Sequence, residues 1–175
     1  CITVKCPLTR RTYPPGQHGP SKRSPKISGF GLQLKEKQKI RASYGLTEAS
    51  FRRYVKSALH GPGNTQEKLY RLLESRLDNV IYRAGLAPSR PAAKQLISHG
   101  KVMVDSKKVR VASYPVAVGQ KIILQNKPPK LYIAEIPSWL GVDKKSLDVT
   151  ITALPTFDQA SSDYNFDLVI EYYAR

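Results

Sequence analysis

Leu73-Glu74-Ser75-Arg76-Leu77-Asp78-Asn79-Val80-Ile81-Tyr82-Arg83, then Ser89-Arg90 and Lys94-Gln95-Leu96-Ile97-Ser98-His99-Gly100-Lys101, is the stretch that decides the fold of this 175-residue chain. Leu69, Leu72, Leu73, Leu77, Val80, Ile81 and Ala84 keep one apolar face, the period of a helix with a buried side. Asn64 stands at an N-cap position with Glu67 three residues on, and Gly85 suits a stop. The spacing predicts one continuous helix from Asn64 to Gly85. Ser89 then caps a shorter helix, with Pro91 tolerated in its first turn and Ala92, Ala93, Leu96 and Ile97 facing inward as far as Gly100. From Lys101 the period falls to two. Val102, Val104, Val109 and Val111 flank the polar turn Asp105-Ser106-Lys107-Lys108, which predicts a hairpin. Gln120–Leu124 and Leu147–Ala153 read as further strands, and Pro128-Pro129 breaks the first of them. A helix pair followed by strands is an α+β pattern, with a small, mostly antiparallel sheet.

Upstream of this unit, Gly31 to Tyr44 reads as a helix, with Leu34 and Ile40 to one side and Lys35, Lys37, Lys39 and Arg41 around it. A second helix begins at the cap Thr47, with Phe51, Val55, Ala58 and Leu59 as its apolar stripe and Arg52, Arg53 and Lys56 projecting elsewhere. Residues 1–30 read as an extended basic arm. Tyr13-Pro14-Pro15-Gly16-Gln17-His18-Gly19-Pro20 can neither continue a helix nor fill a central strand, and Lys22, Arg23 and Lys26 follow. Downstream, Asp167–Arg175 suits a short helix by spacing and a strand by residue type.

Charge narrows the function. Lys and Arg number 29 against 13 Asp and Glu, a net of +16. Residues 1–60 hold 13 basic and 2 acidic side chains and residues 61–127 hold 12 and 4, whereas residues 128–175 hold 4 and 7. Charge concentrated in the first two-thirds marks a binding face for a polyanion, and phosphate backbones are the commonest one in cells. No apolar run approaches the roughly 18 residues of a membrane span, so no membrane partner is expected. Two cysteines are too few for a disulfide scaffold, which makes a reducing cytosol the default. His18, His60 and His99 form no metal motif, and no phosphate loop, dinucleotide fingerprint or nucleophile elbow is visible, so an enzyme is not expected.

Within the deciding stretch, Arg76 and Arg83 lie seven residues apart on the predicted long helix and so share a side. Ser89, Arg90 and Lys94 sit at the start of the next helix, where unpaired amides and the positive dipole end favour phosphate. With His99 and Lys101 at the helix-to-strand junction they form one candidate basic groove; a solvated charged helix face explains the same pattern.

The quoted residues resemble the small RNA-binding domain named after ribosomal small-subunit protein four. That domain also occurs in pseudouridine synthases, tyrosyl-tRNA synthetases and a heat-shock RNA binder. The flanking sequence separates these. Tyr13-Pro14-Pro15-Gly16-Gln17-His18-Gly19, Gly31–Arg41, Tyr44-Gly45, Thr152-Ala153-Leu154-Pro155 and Val169–Arg175 resemble the bacterial-type ribosomal protein family itself, collinearly along the chain. The resemblance implies a basic arm (1–30), a helical domain (31–72 plus about 154–175) and an inserted RNA-binding domain (73–153). It implies a non-enzymatic protein that binds small-subunit ribosomal RNA early in assembly, at a multi-helix junction of the 5′ region. Small-subunit ribosomal protein five would be its neighbour, close to where messenger RNA (mRNA) enters the subunit, and some relatives repress translation of their own operon. Arg10, Arg11, Gln17, His18, Lys22, Arg23, Lys26, Lys35, Lys37, Lys39, Arg41, Arg52 and Arg53 join the groove residues as RNA-binding candidates. A free-standing RNA chaperone or stalled-ribosome binder built on the same domain is the alternative; it would not need the basic arm.

Cys1 and Cys6 resemble the second half of a four-cysteine zinc knuckle carried by some members. A structural zinc site takes four ligands, so these two would bind zinc only with two further ligands upstream. Otherwise they read as free thiols, and no cofactor is required.

Overall fold

The computed structural model describes residues 11, 13, 16–19, 27–60, 62–125, 128, 131–132, 136–143, 146–157 and 164–174. Among them lie six helices and five short strands: α1 (Gly29–Ser43), α2 (Glu48–Leu59), α3 (Thr65–Glu74), α4 (Leu77–Arg83), α5 (Arg90–Ser98), β1 (Val102–Val104), β2 (Lys107–Val109), β3 (Lys121–Leu124), β4 (Leu140–Val142), β5 (Val149–Ile151) and α6 (Phe166–Tyr173). The expected α+β class is what forms.

Side-chain caps set the helix starts. Thr47 Oγ1 accepts from the Ser50 amide, Asn64 Oδ1 from Gln66 and Ser89 Oγ from Ala92, each cap residue being extended so that its side chain can reach an orphan N–H. Glu67 instead pairs with Arg71 on its own helix. Gly100 ends α5 at φ +67, which lets the Lys101 amide reach back to the Leu96 carbonyl. A Cβ there would stand 2.5 Å from Lys108 Cε, so the hairpin side chain packs over this glycine.

The predicted single helix from Asn64 to Gly85 is broken. Arg76 is extended (φ −68, ψ 137), and a loop from the sheet domain occupies the gap. The Leu77 amide donates to the Tyr114 carbonyl, Asp78 to Ala112, and Val116 to Ser75. Leu77 and Asp78 thus bond across the fold and not to the carbonyls four residues back. The break also divides the apolar face. Leu69, Tyr70 and Leu73 pack with Ile40, Tyr44, Phe51, Val55, Ala58, Phe166 and Val169 in one core. Leu77, Val80 and Ile81 pack with Ile97, Val102, Ile122, Trp139, Val149 and their neighbours in the other.

The strands make one antiparallel sheet in the order β2-β1-β3-β5-β4. The β1–β2 turn is shorter than predicted. Asp105 (φ 47) and Ser106 (φ 68) form the whole connection, and Lys107 and Lys108 belong to β2, facing Val104 and Met103. The C-terminal segment is a helix: α6 returns to the first core, where Phe166 stacks edge-on to Tyr70 and Phe157. Leu59, expected in the apolar stripe of α2, stays 40% exposed at its edge.

Candidate nucleic-acid interface

A buried polar cluster joins the two cores. Glu74, at the end of α3, is fully buried and accepts from the Tyr44 hydroxyl (2.6 Å), Asn79 Nδ2 (2.8 Å) and Arg83 Nε and Nη2 (3.1 Å each). Burial, then the neighbouring Glu74 charge, pushes the Tyr44 hydroxyl well above its ordinary range, so it remains a donor. Burial acts to lower the Arg83 pKa, but Glu74's charge and hydrogen bonds outweigh it and the net shift is upward. Arg90, from α5, reaches over the cluster. Its Nε donates to Asn79 Oδ1 (2.8 Å), its Nη1 to the Ser43 carbonyl (3.2 Å), and its guanidinium lies 4.5 Å from the Tyr44 ring centre and 4.6 Å from that of Tyr82. Beside it, Arg76 makes a two-pronged pair with Asp78 (3.0 and 2.6 Å) and donates to the Tyr54 hydroxyl (2.6 Å). Each buried charge is paired and hydrogen-bonded, which burial demands.

This cluster fixes the relative placement of α2 and α5, and a groove runs between them. Two adjoining cavities of about 270 and 240 Å³ share Ser50, Arg76 and Ser113. Arg53, Tyr54 and Ser57 line one end; Thr47 and Lys94 line the other. Ser50, Arg53, Tyr54 and Ser57 fall at i, i+3, i+4 and i+7, one stripe of α2. Tyr54 accepts from Arg76, so its own proton is left to donate elsewhere. Arg53 and Lys94 have no carboxylate within ion-pair distance among the described residues. Hydroxyl donors between two unpaired cations suit phosphodiester oxygens, not a catalytic step.

Comparison with known proteins agrees with this division of the chain. The model of the ribosomal protein S4/S9 N-terminal domain matches residues 1–74, and that of the S4 domain matches residues 75–122. The first match ends at Glu74, where α3 stops and the two cores meet. The small ribosomal subunit protein uS4 of Dictyoglomus turgidum is 40% identical over all of this chain and 88% of its own length. That of Acetivibrio thermocellus is 43% identical over the same shares, and that of Geobacillus stearothermophilus 42% identical over 96% of this chain and 88% of its own. The chain belongs to the uS4 family. Membership makes it a small ribosomal subunit protein with an RNA-binding S4 domain, and not an enzyme.

Within this uS4 protein the residues named from sequence separate into three groups. Lys35, Lys39, Arg52, Arg53, Lys94 and His99 are exposed, and Lys101 is half-buried. Arg11, Gln17 and His18 are exposed in the arm, the last two in a turn closed by the Gly19 amide on the Gly16 carbonyl. Lys37, Arg41, Arg76, Arg83 and Arg90 are held by protein groups instead. Lys37 is buried against Glu48 (2.9 Å), which also takes Arg41 (3.4 Å). Arg76 and Arg83 do not share a helix face, because the break at Ser75-Arg76 separates them; they point to Asp78 and Glu74. At the start of α5, where a phosphate site is expected, two of the first amides after Arg90 are already used and one position has none. Pro91 has no amide proton, Ala92 donates to Ser89 Oγ and Ala93 to the Ser89 carbonyl. Arg10, Lys22, Arg23, Lys26, Cys1 and Cys6 lie outside the described residues. Among the described residues no group of three or more His, Cys, Asp or Glu could hold a metal ion, and no helix is long and apolar enough to cross a membrane.

Sequence reading missed Tyr44, Tyr54, Glu74, Asp78, Asn79 and Ser113. The one visible signal was a carboxylate, Glu74, beside Leu73 and one turn before Leu77 on the predicted apolar face.

Proposed function

We propose that this chain is a structural component of the small ribosomal subunit that binds its ribosomal RNA directly and early in assembly, at a multi-helix junction in the 5′ region. The observation that carries this is the groove between α2 and α5. Its walls come from both cores, and the Glu74–Arg83–Arg90 cluster holds them at one spacing. A preformed track of cations and hydroxyls loses little entropy on binding, so it can engage RNA before other proteins shape the site. Exposed Lys107, Lys108 and Arg110 of the hairpin extend the basic surface beyond Lys94 and His99. The same reading sets the protein beside small-subunit ribosomal protein five, near where mRNA enters, with repression of its own operon as a second use of the RNA surface. Family resemblance supports these last points. No cofactor is required.

Binding to fragments of small-subunit ribosomal RNA, with transfer RNA as competitor, tests the proposal. A 5′-region fragment containing a multi-helix junction should bind and resist competition. Arg53→Glu with Lys94→Glu should weaken that binding about tenfold or more while the protein stays folded, since both side chains are exposed. Equal displacement by transfer RNA would refute selective recognition.

A further inference from the structure

α2 carries a third stripe. Phe51, Val55 and Ala58 enter the core, and Ser50, Arg53, Tyr54 and Ser57 face the groove. Glu48, Arg52, Lys56 and Leu59 line a separate cleft of about 330 Å³ with Tyr172 and Tyr173 of α6. At 3.6 residues per turn the groove and cleft stripes point about 150° apart, on opposite flanks of the helix.

The cleft is chemically unlike the groove. Tyr172 and Tyr173 stand nearly perpendicular, with centres 5.2 Å apart, and Phe30 braces Tyr172 from 5.6 Å. Leu59 adds an exposed apolar edge. Arg52 and Lys56, one turn apart and exposed, pair with no carboxylate among the described residues. Glu48 is the one acid in the wall, and its oxygens are taken by Lys37, Arg41 and the Tyr173 hydroxyl (2.6 Å). The charge presented outward is therefore that of Arg52 and Lys56.

We propose that this cleft is a second RNA site, built for an unpaired nucleotide: the base lies against Tyr172 and Leu59, and a flanking phosphate sits between Arg52 and Lys56. α2 would then stand between two RNA segments, one on each flank. The ligand class rests on the RNA-binding reading above. An unpaired nucleotide fits better than a duplex, because paired bases hide the faces that an aromatic and apolar wall would cover. An acidic protein segment would use the two cations and leave that wall uncovered.

Two charge-reversed proteins test this: Arg52→Glu/Lys56→Glu for the cleft and Arg53→Glu/Lys94→Glu for the groove. Each is measured against the ribosomal RNA fragment and by photo-crosslinking to a single-stranded oligonucleotide carrying 4-thiouridine. The cleft variant should bind the fragment about tenfold or more weakly and lose crosslinks to the peptide containing Tyr172 and Tyr173. The groove variant should keep those crosslinks. Wild-type affinity in the cleft variant, or crosslinks confined to groove peptides, would overturn the proposal; an acidic protein as the true occupant gives the first result. A wild-type protein that fails to prefer the fragment over transfer RNA, yet crosslinks at Tyr172, sinks the functional reading and leaves the cleft standing.

Discussion

Arg90 shows how little residue type says about role. Its Ser-Arg context at a helix start matches a phosphate contact, yet its donors bond to Asn79 and Ser43 and its plane lies between Tyr44 and Tyr82. An arginine that braces two cores and one that grips RNA look the same in sequence. Arg90→Ala should therefore lower stability by about 2–4 kcal/mol, the scale of lost charged hydrogen bonds and two cation–π contacts. Arg90→Lys should recover less than half, because a point-charge ammonium supplies neither the flat stacking surface nor the fork. Urea unfolding checks both, and an Arg90→Ala midpoint equal to wild type would contradict the bracing role. The exposed cations differ: Arg53 and Lys94 pair with no carboxylate among the described residues.

At the scale of elements, starts were more legible than continuity. Thr47, Asn64 and Ser89 cap their helices because short polar side chains satisfy local amides. The break between α3 and α4 is non-local: Tyr114 and Ala112, more than thirty residues downstream, take the amides of Leu77 and Asp78. Periodicity marked Leu69, Leu73, Leu77, Val80, Ile81 and Ala84 as buried, but it could not show that Leu73 and Leu77 serve different cores. Two other helices meet α2 at Glu48, its first residue, where Lys37 and Arg41 come from α1 and Tyr173 from α6. Partial burial pushes the Glu48 carboxyl up, but hydrogen bonds from Tyr173 and Lys37, with the charges of Lys37 and Arg41, outweigh it and hold its pKa below the ordinary value. A depressed carboxyl contributes stability that is full above the unfolded pKa of about 4.3 and is lost as pH falls through the folded pKa. Glu48→Gln should therefore be less stable than wild type at neutral pH, with the gap closing as the solution is acidified below about pH 4. Chemical unfolding at several pH values reads this directly; a gap that does not change with pH would remove the linkage.

Across the whole molecule, charge sets how the protein meets its partner. The excess of 29 basic over 13 acidic residues lies ahead of residue 128, and binding through it should displace counterions in proportion to the phosphates contacted. For about six to ten contacts, log affinity against log salt should fall with a slope of about −4 to −9. Arg53→Glu/Lys94→Glu should make that slope shallower by about 1–2. A flat titration would mean that phosphates are not the main ligand. The sequence by itself determined the class of partner, the α+β composition, the helix caps and most of the apolar buried positions, because each follows from charge count, local hydrogen bonding or short-range period. Only the tertiary structure decided which cations face outward. Arg76, Arg83 and Arg90 are drawn inward by Asp78, Glu74 and Asn79, which flank the break where a loop splits one apolar stripe between two cores, and Lys37 by Glu48 on the next helix. A buried guanidinium persists only where such a partner is in place, and no local pattern records that pairing.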